Sequence, residues 1–118
     1  MSSFGPNHHA ASVWVNFNGT GSIATRDSFN VSGLTDNAGG NYTVDFSLSL
    51  SNSNYCFTGT SSGDDGNYGY TFMDGTVNNQ FVYSTSNLRL GTGYASATNS
   101  TAQPVDAHQI NVVIHGDV

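Results

Sequence analysis

The feature that most constrains this chain is the absence of lysine and glutamate from all 118 residues. Both are strong helix formers that usually cover exposed helical surface, so their absence removes much of the helix propensity. In addition, 56 residues are Gly, Ser, Thr or Asn, which favour turns or compete with helical backbone hydrogen bonds. The composition therefore argues against a helical protein and predicts one all-β domain with many turns.

Aromatic content and charge narrow the class further. Seven Phe, six Tyr and one Trp are too many aromatic residues for an unfolded polar chain. The net charge is −6, and Arg26 and Arg89 are the only Lys or Arg residues. This charge argues against nucleic acid and anionic membranes as partners, because both are bound through clustered Lys and Arg. No apolar run reaches the ~18 residues that span a bilayer, and no secretory signal pattern is visible, so we expect no membrane insertion.

Alternation of apolar and polar residues predicts the strands, since successive side chains of a strand point to opposite faces. The longest alternation covers residues 42–50, and clear shorter ones cover residues 13–17 and 108–115. Turn residues recur between such segments, which is typical of antiparallel sandwiches. We predict eight or nine short strands in an antiparallel, jelly-roll-like β-sandwich. Residues 12–118 form this domain, and residues 1–11 form a short N-terminal arm.

Two further segments and the cysteine give testable expectations. Residues 23–32 predict a strand pair or one bent strand, with Phe29 and Val31 on one face. Residues 35–40 contain turn-forming and small residues only and predict a loop. Cys56 is the only cysteine in the chain, so no intrachain disulfide can form. Because it lies within an apolar strand pattern, we expect a buried structural thiol.

Candidate metal ligands are few and poorly spaced. His8 and His9 are adjacent and point in opposite directions in an extended chain, so we expect both to be solvated. His108 and His115 fall on opposite faces of one strand and cannot share an ion within one chain. Residues 64–67 (Asp-Asp-Gly-Asn) resemble a calcium loop in composition but lack the EF-hand spacing. We predict no metal site and no cofactor. Calcium binding by this acidic turn is the alternative that the sequence leaves open.

Catalysis has little support in the sequence. The nucleophile-elbow pattern G-x-S-x-G is absent. A chain without Lys or Glu also has a small supply of general acids and bases. Eight Asp leave paired-carboxylate glycoside cleavage open in principle, but the composition predicts a protein that is not an enzyme.

The remaining aromatic and polar residues suggest contact surfaces. Trp14 lies on the opposite strand face from Val13 and Val15, so we predict that it lies at an interface between subunits. Stacking on a sugar is the alternative for an exposed Trp. The loops at residues 61–69 and 74–80 are rich in Asn, Asp and Tyr, and we expect glycan contacts there. The residues proposed for these contacts are Asp64, Asp65, Asn67, Tyr68, Asn78 and Asn79.

Several segments together resemble one known family. They are VWVNFNGTG at residues 13–21, RDSFNVS at 26–32, LTDN at 34–37, GNYTVDF at 40–46 and INVVIHGD at 110–117. This pattern is similar to the C-terminal domain of tail-fibre-like proteins from phages of cyanobacteria and marine bacteria. The similarity is dense over residues 13–57, loose over residues 106–117 and weak between them.

The resemblance implies a β-rich virion domain, a homotrimeric tail fibre or fibre tip that binds host cell-surface polysaccharide. It carries over no catalytic residue. Residues 1–11 would then contact other phage virion proteins, after synthesis in the cytoplasm of the host bacterium. Because the arm is short, a capsid decoration (cement) protein is an alternative. A third interpretation, from a different functional class, is a free, lectin-like carbohydrate-binding domain.

Overall fold

The computed structural model describes residues 10–63, 70–73, 81–95 and 102–118. Within these ranges the chain is all-β and contains no helix. The strands are β1 (Val13–Asn18), β2 (Ala24–Phe29), β3 (Val31–Ala38), β4 (Asn41–Phe46), β5 (Cys56–Ser62), β6 (Thr71–Phe72), β7 (Val82–Tyr83), β8 (Asn87–Ala95), β9 (Ala102–Pro104) and β10 (Gln109–His115).

These strands form two antiparallel sheets that face each other. The first sheet has the order β2-β1-β10-β5. The second is built on β3-β4-β8, and the long strand β8 also pairs with β6, β7 and β9. The antiparallel β-sandwich predicted from the alternation is confirmed. The described residues form ten strands rather than eight or nine, because β6, β7 and β9 are only two or three residues long.

The core lies between the central strands of the two sheets. Side chains from β1 and β10 meet side chains from β4 and β8, and burial of such apolar surface contributes roughly 25 cal/mol per Å². The buried residues on these four strands are Val13, Val15, Phe17, Tyr42, Val44, Phe46, Leu88, Leu90, Ile110, Val112 and Ile114. The alternation that predicted the strands therefore also separates the buried face from the outer face.

The chain crosses from the first sheet to the second at Asn30. This residue has a φ of 59°, a left-handed conformation that Asn adopts more readily than most residues. Its side-chain amide donates a 2.9 Å hydrogen bond to the Ser12 carbonyl. Phe29 ends β2 in the first sheet, and Val31 begins β3 in the second. The prediction that Phe29 and Val31 share one face is therefore wrong.

The predicted loop at residues 35–40 is mostly strand. Residues up to Ala38 belong to β3, which pairs with β4, and only the two glycines that follow form the turn. The Asn37 side-chain amide stabilises this pairing, since it donates to Asn41 Oδ1 at 2.9 Å and to Thr43 Oγ1 at 2.8 Å. Partners on the neighbouring strand thus override the turn preference of the local sequence.

Strand β4 ends at Phe46, four residues before the alternation ends. The Ser47 N–H turns away and donates to the Asn30 carbonyl at 2.9 Å. The Leu50 N–H donates to the Thr85 carbonyl at 2.9 Å, and the Leu50 side chain remains buried. The apolar pattern of residues 48–50 therefore reflects burial of side chains beyond the end of β4 and not a longer strand.

An aromatic cluster closes one side of the sandwich. The Phe57 ring of β5 lies 5.4 Å from the Phe72 ring and 5.6 Å from the Phe81 ring, between centroids. Both contacts are edge-to-face, the arrangement that aromatic quadrupoles favour. The edge strand of the first sheet is thus joined to β6 and to the residue that precedes β7 in the second.

Candidate functional site

The residues predicted to contact glycans all lie outside the described residues, as do the acidic turn at residues 64–67 and the tandem His8 and His9. Their assignment stays a prediction. The six residues are Asp64, Asp65, Asn67, Tyr68, Asn78 and Asn79.

Trp14 lies at the centre of an apolar row on the outer face of the first sheet. The strand register places it beside Phe29 of β2 on one side and Val113 of β10 on the other. The Phe29 side chain is 48% exposed, while Trp14 and Val113 are half-buried. We call these three residues the apolar row. A continuous exposed apolar strip of this kind is typical of a contact surface.

A polar row runs beside the apolar row on the same face. The Asn16 amide donates to Asn111 Oδ1, and the Asn111 amide donates to Thr60 Oγ1 over 2.9 Å. Asp27 of β2 pairs with Asn16 at the edge of the sheet and is the one charged member of this row. The hydrogen bonds orient the amides across three strands, so the face combines fixed polar groups with apolar ones.

A groove of about 630 Å³ lies at one end of the sandwich, where the described chain begins. We call it the terminal groove. Phe29 belongs both to this groove and to the apolar row, so the two surfaces adjoin. The residues that line the groove are Ala10, Ala11, Ser12, Phe29, Asn30, Leu48, Gly116, Asp117 and Val118.

A buried polar cluster lies near the other end of β1, around the Tyr42 hydroxyl. This hydroxyl is 2.9 Å from Asp106 Oδ1, to which it donates, and it accepts from the Ala107 N–H at 3.3 Å. The Gly40 N–H donates to the same carboxylate oxygen at 2.8 Å. Burial, and then the Asp106 carboxylate, raise the pKa of Tyr42 above its ordinary value. Each polar group is satisfied internally, which is typical of a structural cluster.

Asp106 also acts on a second carboxyl group. Burial, followed by the nearby charge of Asp106, raises the pKa of Asp36. Within the ranges that the structure describes, no three His, Cys, Asp or Glu side chains are grouped so as to hold a metal ion.

Cys56 occupies an outward position at the start of β5, opposite His115 of β10. Its thiol is exposed and lies 3.9 Å from the His115 carbonyl oxygen. The expectation of a buried thiol is wrong, because the next residue, Phe57, takes the inward position on this strand. Burial, and then Cys56, raise the pKa of the neighbouring Tyr83 phenol. His108 lies just before β10, and its N–H donates to the Ser62 carbonyl at 3.0 Å.

Sequence reasoning identified Trp14 but missed the residues beside it. Four residues lie near Trp14 only because of the register of three strands, which cannot be deduced from a single sequence. They are Phe29, Val113, Asn16 and Asn111. A partial signal exists for Asn16, Asn111 and Val113, which alternate with apolar residues in the predicted strands at 13–17 and 108–115. The arrangement as a whole offers surfaces for contact: the apolar row, the polar row and the terminal groove.

Comparisons of the chain with protein-family models, with curated proteins and with solved structures found no match. In the part of the chain that the structure describes, no helix is long and apolar enough to cross a membrane. Function is therefore inferred from the sequence pattern and from the surfaces described above.

Proposed function

We propose that this chain is a structural protein of a bacteriophage virion that forms a homotrimeric tail-fibre or fibre-tip domain. The resemblance of residues 13–57 to tail-fibre-like domains supports the virion role. The β-sandwich agrees with the β-rich domain that this resemblance implies. The proposed role is mechanical and adhesive rather than enzymatic.

The apolar row carries the assembly part of this proposal. Phe29, Trp14 and Val113 lie side by side on three strands, and their exposure to water is unfavourable by roughly 25 cal/mol per Å². Aromatic residues are enriched where subunits meet. A neighbouring copy that covers this row removes it from water, which favours association.

The polar row suits the same surface. The amides of Asn16 and Asn111 are held in place by hydrogen bonds, so little side-chain freedom is lost when a partner covers them. Asp27 is the only charge in the row and lies at its edge. Two copies can therefore approach without burying unpaired charges at the centre of the contact.

A matched pair of variants tests the assembly. Phe29 is 48% exposed on the first sheet, and Val82 is 46% exposed on β7 of the second sheet. We expect the wild-type chain to sediment as a trimer, and Phe29→Ser to weaken assembly at least tenfold in analytical ultracentrifugation. Val82→Ser should leave the trimer unchanged, and Trp14→Ala should weaken it. A monomeric wild-type chain at micromolar concentration, or equal behaviour of both serine variants, contradicts the proposed assembly.

The position of the protein on the virion tests the role. Cryo-EM of intact particles should show three copies together at the distal end of each tail fibre. Density spread over the capsid lattice identifies a decoration protein instead. An absence of bound copies from particles rejects both virion roles.

Carbohydrate binding through the outer face is a second candidate function. It is favoured by the position of Trp14 beside the oriented amides of Asn16 and Asn111, since stacking and hydrogen bonds together bind sugars. Trp14 is the only Trp in the chain, so its fluorescence reports directly on this face. Saturable quenching by neutral host polysaccharide, lost in Asn111→Ala, supports this candidate. Unchanged fluorescence at millimolar sugar rejects it.

A further inference from the structure

The terminal groove is an exposed apolar concavity at the point where the described chain begins. Phe29, Leu48 and Val118 supply its large apolar side chains. Val118 is 77% exposed. A volume of about 630 Å³ lies within the range of sites that hold a small molecule or a few side chains.

The chain itself supplies a segment of suitable length and position. Ala10 lines the groove, and residues 1–9 precede it directly. Six residue steps separate Ala10 from Phe4, which is a reach of roughly 20 Å when extended. Gly5 and Pro6 follow Phe4 and are residues that favour a reversal of chain direction.

The composition of residues 1–9 complements the groove. Phe4 and Met1 are its only large apolar side chains, and each can fill an apolar space. The segment contains no acidic residue, whereas Asp117 contributes a carboxylate to the groove. His8 and His9, which have no other assigned role, bring groups that this carboxylate attracts when they are protonated.

We propose that the terminal groove is the docking site for residues 1–9 of the same chain, anchored by the Phe4 side chain. The tether favours the chain's own segment over a free peptide, because a short loop gives a high effective concentration. Docking also covers Phe29 from the groove side. The N-terminal segment and a neighbouring copy would thus contact the same aromatic ring.

Paramagnetic broadening of NMR signals tests this docking in the full chain. A nitroxide is attached through Ser3→Cys in a Cys56→Ser background, which removes the exposed native thiol. We expect the amide signals of Leu48 and Gly116 to lose at least fivefold intensity relative to the reduced label. Phe4→Ala in the same background should restore at least half of that intensity, as should the groove variant Val118→Asp.

A mixed sample separates the chain's own segment from that of a neighbour. Isotope-labelled protein without a nitroxide is combined with unlabelled protein that carries one. Both proteins also carry Trp14→Ala, which weakens the proposed assembly and leaves the groove lining intact, and we expect no broadening in this mixture. Broadening in the mixture as strong as in the first sample, after correction for the mixing ratio, assigns the groove to a neighbouring copy and overturns the proposal.

Two further results also overturn it. They are the absence of broadening in the first sample, and broadening that Phe4→Ala leaves unchanged. None of these outcomes depends on trimer formation or on the location of the protein in a virion. The docking proposal and the tail-fibre proposal therefore succeed or fail separately.

Discussion

Removal of the Tyr42 hydroxyl should destabilise the domain more than its single-atom size suggests. Tyr42 is fully buried between the sheets, and its hydroxyl donates to Asp106 while accepting from the Ala107 N–H. In Tyr42→Phe the ring still fills the core, so packing changes little. The free-energy change then arises almost entirely from the polar groups that the hydroxyl satisfies.

The magnitude follows from those groups. Ala107 is fully buried, and its N–H donor has no other partner among the described hydrogen bonds. An unsatisfied buried donor costs about 1–3 kcal/mol, and the lost hydrogen bond to a carboxylate adds about 1 kcal/mol or more. Asp106 keeps its bond from Gly40, which limits the loss. We expect Tyr42→Phe to lower the free energy of unfolding by about 3 kcal/mol.

Tyr55→Phe provides the matched control. The Tyr55 hydroxyl lies 3.0 Å from the Ser84 carbonyl oxygen and 3.1 Å from the Asn87 carbonyl oxygen. Both of its partners are acceptors, and the Asn87 carbonyl also accepts from the Ser84 N–H. No donor is left unsatisfied, so the expected loss is only about 1 kcal/mol.

Urea unfolding followed by Trp14 fluorescence measures both variants against the wild type. The slope of free energy against urea should stay constant, so that the shift in midpoint reports stability alone. A Tyr42→Phe loss below about 1 kcal/mol, or equal losses in the two variants, refutes the reasoning that an orphaned Ala107 N–H dominates.

Three other predictions concern the turn at Gly40, the Tyr55 phenol and the Cys56 thiol. Gly40 has a φ of 69°, and an added Cβ would lie 2.5 Å from the Thr92 carbonyl oxygen; Gly40→Ala should therefore cost about 3 kcal/mol or more in urea unfolding. Gly39→Ala meets nothing within 4 Å and should be close to neutral, so equal costs contradict the steric argument. Burial raises the pKa of Tyr55 to about 12 from about 10 in an unfolded chain. The neutral phenol therefore contributes its full stabilisation of the fold below pH 10, and this contribution is lost as the pH rises from 10 to 12. Urea midpoints from pH 8 to 12 should fall less steeply in Tyr55→Phe, and parallel profiles contradict this assignment. The Cys56 thiol is exposed and should react fully with a thiol reagent in the dilute native protein; reaction only after denaturation contradicts its outward position.

The fold was predictable in strands with one buried face and one solvent-exposed face. In β1 and β10 the alternation in the sequence coincides with the observed burial of Val13, Val15, Ile110 and Val112. It failed at Cys56, because an edge strand with few apolar residues gives little information on which face points inward.

Pairing between strands accounts for other differences. The segment from Thr35 to Ala38 has turn-forming composition, yet its partners on β4 hold it in a strand. At Asn30 the chain changes sheets through one left-handed residue, which no periodicity reveals. The apolar row was half predictable for a similar reason: Trp14 was visible as an outward aromatic residue, whereas the approach of Phe29 and Val113 depends on register.

The pairing of β1 with β10 also governs when this domain can fold. Asn16 and Asn111, which bond to each other at the centre of the first sheet, are separated by 95 residues in sequence. Closing so long a loop costs conformational entropy before the stabilising contacts between the two strands can form. This cost makes folding slow. During synthesis, β1 emerges early but lacks its central neighbour until β10 has been translated. The sheet face with Trp14 is therefore completed only after translation of β10, a delay in which nascent chains are exposed to aggregation.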